Sequence, residues 1–188
     1  MSSLASDKVR WTTADLELFP NDGKRYEIID GELFVTRAPH WKHQEVCVKV
    51  ATQLQIWSTE TGLGKPAFGP GLIFSNADNV IPDVVWASNQ RLEELLDEAG
   101  HLTGAPELVV EVLSPGQEQE RRDRELKLKL YSVQGVREYW ICDRQQQKVE
   151  VYRREDAVLK LAATFFKEDN LTSPLLPGFT CLVERFFS

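Results

Sequence analysis

Gly104-Ala105-Pro106-Glu107-Leu108-Val109-Val110-Glu111-Val112-Leu113-Ser114-Pro115 is the stretch on which the fold turns. Residues 107–113 read as a strand, and their continuous apolar run Leu108-Val109-Val110 is the pattern of a strand buried on both faces. Ser114-Pro115-Gly116 breaks it, residues 117–133 read as a charged helix stopped at Gly135, and residues 137–143 read as a second buried strand around Tyr139-Trp140-Ile141-Cys142. Strand, helix, strand in that order is a crossover unit.

The rest of the chain arranges itself around this unit. Residues 1–11 read as a loose start, and Thr12 or Thr13 caps a short helix to about Phe19, ended by Pro20 and an Asn-Asp-Gly turn. Residues 25–30 and 32–36 form a hairpin about Gly31. A longer helix runs from Pro39 to about Thr59, with Val46, Val50, Leu54 and Trp57 on one stripe. Residues 62–66 read as a turn, 68–74 and 80–86 as two strands, and 88–99 as a short acidic helix. Residues 148–153 and 158–166 alternate like hairpin strands, and 182–187 closes with a helical turn. Antiparallel hairpins combined with one crossover predict an α/β fold with a sheet of mixed direction.

The 188 residues suit one core-forming domain, expected over 25–188 with residues 1–24 as an extension. Composition is ordinary for a globular chain, 42% hydrophobic and 27% charged. The formal charge of -7 argues against a protein that coats nucleic acid non-specifically, although not against a local basic groove. Three cysteines without a C-x-x-C pair read as buried free thiols in a reducing cytoplasm. The start has no apolar leader, and no run is apolar enough to span a membrane. No dinucleotide fingerprint, phosphate loop or nucleophile elbow is present, and three dispersed histidines do not suggest a histidine-based metal site.

What stands out is acid inside apolar strands. Asp83 lies in Ile81-Pro82-Asp83-Val84-Val85-Trp86, and Glu111 follows Leu108-Val109-Val110. A carboxylate there is costly unless paired or bound to a cation, and two converging carboxylates suit a hard divalent ion such as Mg²⁺. On the helix 117–133, most charges fit a solvated face laced with i,i+4 pairs. Asp123, Lys127 and Tyr131, however, share one face at i, i+4 and i+8, beside an apolar stripe of Leu126, Leu130 and Val133. The helix follows the Glu111 strand directly, so it can bring Lys127 over Glu111.

In these residues the chain resembles the PD-(D/E)XK nuclease superfamily. It is more closely similar to a bacterial restriction-endonuclease-like family long described as a domain of unknown function. The matching segments are residues 26–32, His43-Gln44, Pro82-Asp83, residues 104–115, Asp123 with Lys127 and Tyr131, and residues 135–140, 149–152 and 171–178. The resemblance implies a restriction-endonuclease-like core, a mixed β-sheet flanked by helices with additional hairpin strands. It implies that Asp83 and Glu111 bind Mg²⁺, with Mn²⁺ an alternative, and that Lys127 assists. Leu113 stands where the superfamily motif has Lys; the resemblance implies that the following helix supplies the amine instead, through Lys127. Glu27 and His43 are further candidates for the cleft, with Asp123 and Tyr131 beside Lys127, while Arg121, Arg122 and Arg124 are candidates for phosphate contacts on its rim.

The implied activity is metal-dependent hydrolysis of phosphodiester bonds, with DNA the expected substrate and a homodimer the natural way to cut both strands. The alternative is an inactive nuclease fold that binds nucleic acid or protein. A carboxylate-pair glycosidase gives Lys127 no role.

Overall fold

The fold is described from a computed structural model over residues 9–188. Of the loose start read for residues 1–11, positions 1–8 lie outside the described residues, as does the stretch read for a leader, and residues 9–11 form neither helix nor strand. In chain order, a short 3-10 helix (Thr13–Leu18) precedes β1 (Arg25–Ile29), β2 (Glu32–Thr36), α1 (Trp41–Thr61), β3 (Gly64–Phe68), β4 (Leu72–Ser75), β5 (Asp78–Val80), β6 (Val84–Ser88) and α2 (Asn89–Leu95). Then come β7 (Leu108–Val112), α3 (Gln117–Arg121), a π-helical turn (Arg122–Lys127), α4 (Leu128–Gln134), β8 (Glu138–Asp143), β9 (Lys148–Glu155), β10 (Val158–Phe166), β11 (Asn170–Ser173), β12 (Leu176–Leu182) and α5 (Glu184–Phe187).

The main sheet has six strands in the order β10-β9-β8-β7-β6-β3. Its one parallel pair is β7 with β8, joined by the helical crossover, and every other neighbour is antiparallel. This is the α/β mixed sheet expected from the sequence. A second sheet, β2-β1-β5-β4, and the ribbon β11-β12 complete the architecture.

Strand alternation divides the core into two layers. Val84, Trp86, Leu108, Val110, Val112, Trp140 and Cys142 pack against Val50, Leu54 and Trp57 of α1 and against Leu176, Phe179 and Phe186. The opposite face, with Val85, Val109, Tyr139 and Ile141, packs on Leu130 and Tyr131 of α4 and on Ile29, Leu72 and Val80 of the small sheet. Full burial of each such side chain is worth about 1.5–3 kcal/mol. The site lies on this second face. All three cysteines are buried and free, as expected. No helix among the described residues is long and apolar enough to cross a membrane.

Four local readings are corrected. Residues 62–66 are not simply a turn, because Gly62 caps α1 in the left-handed region and β3 begins at Gly64. Pro66 is tolerated because β3 is an edge strand. Gly64 is required there, since a Cβ would lie 2.3 Å from the Ala87 carbonyl oxygen. The run 68–74 is divided by Gly69 and Pro70 between β3 and β4, which belong to different sheets. The run 80–86 is likewise divided: β5 belongs to the small sheet, β6 to the main sheet, and the chain crosses between them at Ile81-Pro82-Asp83. Finally, residues 170–182, not read as strands from the sequence, form the ribbon that carries Leu171, Leu176, Phe179 and Cys181 into the core.

Candidate active site

The β6–β7 register pairs Val84 with Val110 and Val85 with Val109. Continued by one residue, it sets Asp83 beside Glu111 on neighbouring strands. By parity both follow the face of Val85 and Val109; Glu111 meets the crossover helix there, while Asp83, at the sheet end, meets β1 and His43 of α1. Side chains directly opposite in such a pair stand about 4.5–5.5 Å apart at Cβ.

Asp83 is almost wholly buried, at 2% exposure. Its Oδ1 accepts from Arg25 Nη1 at 2.8 Å, and its Oδ2 accepts from the Val112 backbone N–H at 2.9 Å and lies 3.1 Å from His43 Nε2. Burial alone would raise this carboxyl, but the His43 contact, the Arg25 charge and the Val112 amide outweigh it and hold it well below the usual carboxylate range. For His43 burial works the other way, and the Asp83 carboxylate still lifts the imidazole above its ordinary value.

Glu111 is held from the crossover helix. Its Oε1 accepts from Lys127 Nζ at 2.8 Å and from the Tyr131 hydroxyl at 2.8 Å. Lys127 also stands 3.0 Å from Glu27 Oε1, which accepts the Ile81 N–H as well, and 4.0 Å from Asp123 Oδ1. The i, i+4, i+8 face of Asp123, Lys127 and Tyr131 is therefore turned inward. It runs through the π-helical turn, a widened geometry that no spacing in the sequence signals.

The charges of this cluster are unequal in consequence. Burial drives the Glu111 carboxyl up to about 8, opposed by Lys127 and reinforced by Asp83, Asp123 and Glu27. Burial likewise drives Asp123 up to about 6, against Lys127 and Arg122. Burial would discharge Lys127, but Glu111, Glu27 and Asp123 surround it and raise it above the usual lysine value. The ammonium therefore keeps its proton, and among the acids facing it Glu111 is raised furthest. Tyr131, raised by burial and by Glu111, stays a neutral donor.

Arg25, Glu27, His43, Asp83, Glu111, Asp123 and Lys127 line a cleft of about 770 Å³ together with Phe34, Thr36, Pro39, Ser114 and Arg121, while Tyr131 lies behind it. Of the expected rim arginines, Arg121 is exposed and pairs with Glu125 at 2.9 Å. Arg122 is drawn inward, donating to Thr36 Oγ1 at 3.0 Å and lying 4.0 Å from Glu27. Arg124 turns away to Glu150 and Asp143 on β9 and β8 and does not line the cleft. Acids on the main sheet satisfy its charge, which the helix sequence alone does not reveal. Arg25 is the residue the sequence reading missed. The only available signal was its position two residues before Glu27, on the same face of β1.

The donor set fits a hard cation. Carboxylates of Glu27, Asp83, Glu111 and Asp123 gather around the charges of Arg25, Arg122 and Lys127. Among the described residues, Asp123 Oδ1 is buried with no hydrogen-bond partner, and Arg122 Nε, 3.7 Å from it, also has none. An unsatisfied buried acceptor among oxygen donors is what a bound ion or its water would complete. A second grouping, His43, Cys47 and Asp83, also has donor atoms within 4.8 Å of one another. There the thiol is raised by burial, and His43 already meets Cys47 through Nδ1 (3.5 Å) and Asp83 through Nε2 (3.1 Å).

A mixed sheet with paired acids at adjoining strands and a lysine over them from the crossover helix is a restriction-endonuclease-like nuclease fold. The chain belongs to the Uma2 family, described as "Putative restriction endonuclease", whose pattern matches residues 13–184. Among solved structures it is similar to a protein of Anabaena variabilis described as a "putative nuclease belonging to DUF820". That likeness has a TM-score of 0.76 at 18% identity and covers 94% of this chain and 97% of the other, a likeness of fold. No curated protein matches the chain.

Proposed function

We propose that this chain is a Mg²⁺-dependent endonuclease that hydrolyses phosphodiester bonds in DNA, with Mn²⁺ able to substitute. The observation that carries the reading is the Asp83, Glu111 and Lys127 cluster in an open cleft, with Asp123 Oδ1, buried and without a hydrogen bond among the described residues, among its oxygens. Asp83 and Glu111 would hold the ion, with Asp123 beside them. The ion, when bound, supplies an activated water and neutralises charge growing on the phosphate.

The chain's own residues do the rest. Lys127 is surrounded by acids and keeps its proton, so its role is electrostatic: Nζ stabilises the charge of the pentavalent phosphate and does not act as a base. Tyr131 fixes Glu111 Oε1 from the other side, and the Val112 N–H and His43 fix the angle of Asp83. Arg121 at the mouth is placed to meet the nucleic-acid backbone, a contact that positions without reading sequence. The nuclease unit is residues 25–188, acting as a homodimer on a duplex.

One observation favours a second reading, an inactive nuclease fold used for binding. Both Asp83 oxygens already have protein partners, so the carboxylate needs no metal to be satisfied. Incubation of supercoiled plasmid, linear duplex and single strands with Mg²⁺, Mn²⁺ or EDTA separates the two. Cleavage with metal, abolished by EDTA and by Asp83→Ala, is the expected result. Equal cleavage by Asp83→Ala, or none under any condition by the folded parent, refutes the proposal.

A further inference from the structure

We propose that Arg25 is a resident counter-cation of the candidate metal site, displaced from Asp83 when a divalent ion binds and thereby freed to take a phosphate of the nucleic acid. This rests on the metal-dependent reading above and adds a binding role to a residue outside the acid–lysine set.

The geometry separates Arg25 from the other cations. The Lys127 side chain is 2% exposed and tied to both Glu111 and Glu27. Arg122 is 14% exposed and anchored on Thr36. Arg25 opens β1 at the wall of the cleft with 21% of its side chain exposed, against 3% for the carboxylate it holds. It makes one hydrogen bond, from Nη1 to Asp83 Oδ1 at 2.8 Å, and none of its other nitrogens is buried without a partner.

The two Asp83 oxygens also differ. Oδ2 is held by a strand amide and by a buried histidine, neither of which can leave without disturbing the sheet or α1. Among the described residues, Oδ1 is held by Arg25 alone, from the cleft side. It is therefore the oxygen an incoming cation can claim. A divalent ion and a guanidinium cannot share it without strong repulsion, so the two compete, and the competition is reciprocal by linkage. A guanidinium released at the cleft wall presents a planar fork of donors that matches phosphate oxygens.

The test uses the full chain at pH 8 with Mn²⁺ as the probe. Calorimetry on Arg25→Gln is expected to show Mn²⁺ binding about tenfold tighter than in the parent, because a unit positive charge beside the ion is gone. Anisotropy with an uncleavable phosphorothioate duplex in saturating Mn²⁺ is expected to show binding about tenfold weaker, with a salt slope shallower by about 1. Arg25→Lys keeps the charge and should hold Mn²⁺ affinity near the parent's. General damage to the fold weakens both affinities and cannot move them in opposite directions. Should Arg25→Gln fail to fold, Arg25→Met, which keeps the aliphatic stem, carries the same pair of expectations. If the parent binds Mn²⁺ and the variant binds it equally or more weakly, or binds the duplex equally well, the inference on Arg25 falls while the metal reading stands. If the parent itself gives no Mn²⁺ heat, both fall.

Discussion

Lys127→Met removes an ammonium that is 2% exposed and leaves an apolar side chain of similar length. Two close carboxylates, Glu111 at 2.8 Å and Glu27 at 3.0 Å, lose their shared cation. Breaking a buried ion pair from one side costs about 3–5 kcal/mol, since a buried charge is left uncompensated. Here the cost has an outlet, because burial already drives Glu111 up to about 8 and loss of Lys127 raises it further. At pH 6 a Glu111 raised to about 8 carries its proton in parent and variant alike, so that acid adds little to the gap. At pH 9 the same proton must be bound against solution. The folded variant then holds protons that the unfolded chain has released, so its stability falls with rising pH, by up to about 1.4 kcal/mol per unit for each such proton. Urea unfolding at pH 6 and pH 9 should therefore find Lys127→Met less stable than the parent at both, with the larger gap at pH 9. Lys127→Met combined with Glu111→Gln should recover part of the loss and flatten the pH dependence. A gap below about 1 kcal/mol at both pH values, or one independent of pH, refutes the picture of a buried charge cluster. Because of this instability, loss of cleavage in Lys127→Met counts as chemistry only at temperatures where the variant is folded.

Other outcomes follow from the same geometry. In the metal-free parent, Glu111 is raised from its ordinary value of 4.5 to about 8, so the stability that its proton contributes is complete below pH 4.5 and is lost as pH climbs through 8. Denaturation across that window should show the decline, Glu111→Gln should remove it, and an unchanged slope in Glu111→Gln refutes the assignment. Gly64→Ala should lower thermal stability with little effect on cleavage at low temperature, because its Cβ would meet the Ala87 carbonyl oxygen at 2.3 Å and force β3 off β6. A melting temperature equal to the parent's argues against that register.

The crossover unit could be read from the chain because two apolar strands and a charged helix have distinct local patterns, and β7, β8 and the helical stretch lie where those patterns put them. The division of residues 80–86 between two sheets was hidden, because periodicity sees one apolar run and cannot say that the chain changes partners at Pro82. The ribbon of β11 and β12 was hidden by Pro174, Pro177 and Gly178, which read as loop punctuation although Phe179 and Cys181 alternate into the core. Asp83 and Glu111 stood out because acids are conspicuous among valines. Lys127 followed from helical spacing and the order of elements, and the structure brings it onto Glu111. Arg25 had only its spacing from Glu27 as a local signature, since its partner Asp83 is 58 residues away, where the chain crosses between the sheets. Arg122 and Arg124, neighbours in a basic helix, serve opposite sides of it for reasons that lie in β2, β8 and β9.

The π-helical turn at Arg122–Lys127 gives this chain an unusual place to absorb a change of length. Such a turn is a place where an α-helix accommodates a residue too many. Deleting one residue between Asp123 and Lys127 would let the helix relax to regular α geometry, and backbone hydrogen bonding would improve. A regular α-helix turns about 100° per residue, but the widened turn already takes up the extra residue, so Lys127 and Asp123 would stay on nearly the same face. The same deletion in α4, which has no residue to spare, would instead swing the helix beyond it by about 100°. The π-helical turn is therefore expected to tolerate the loss of one residue better than the regular helix beside it.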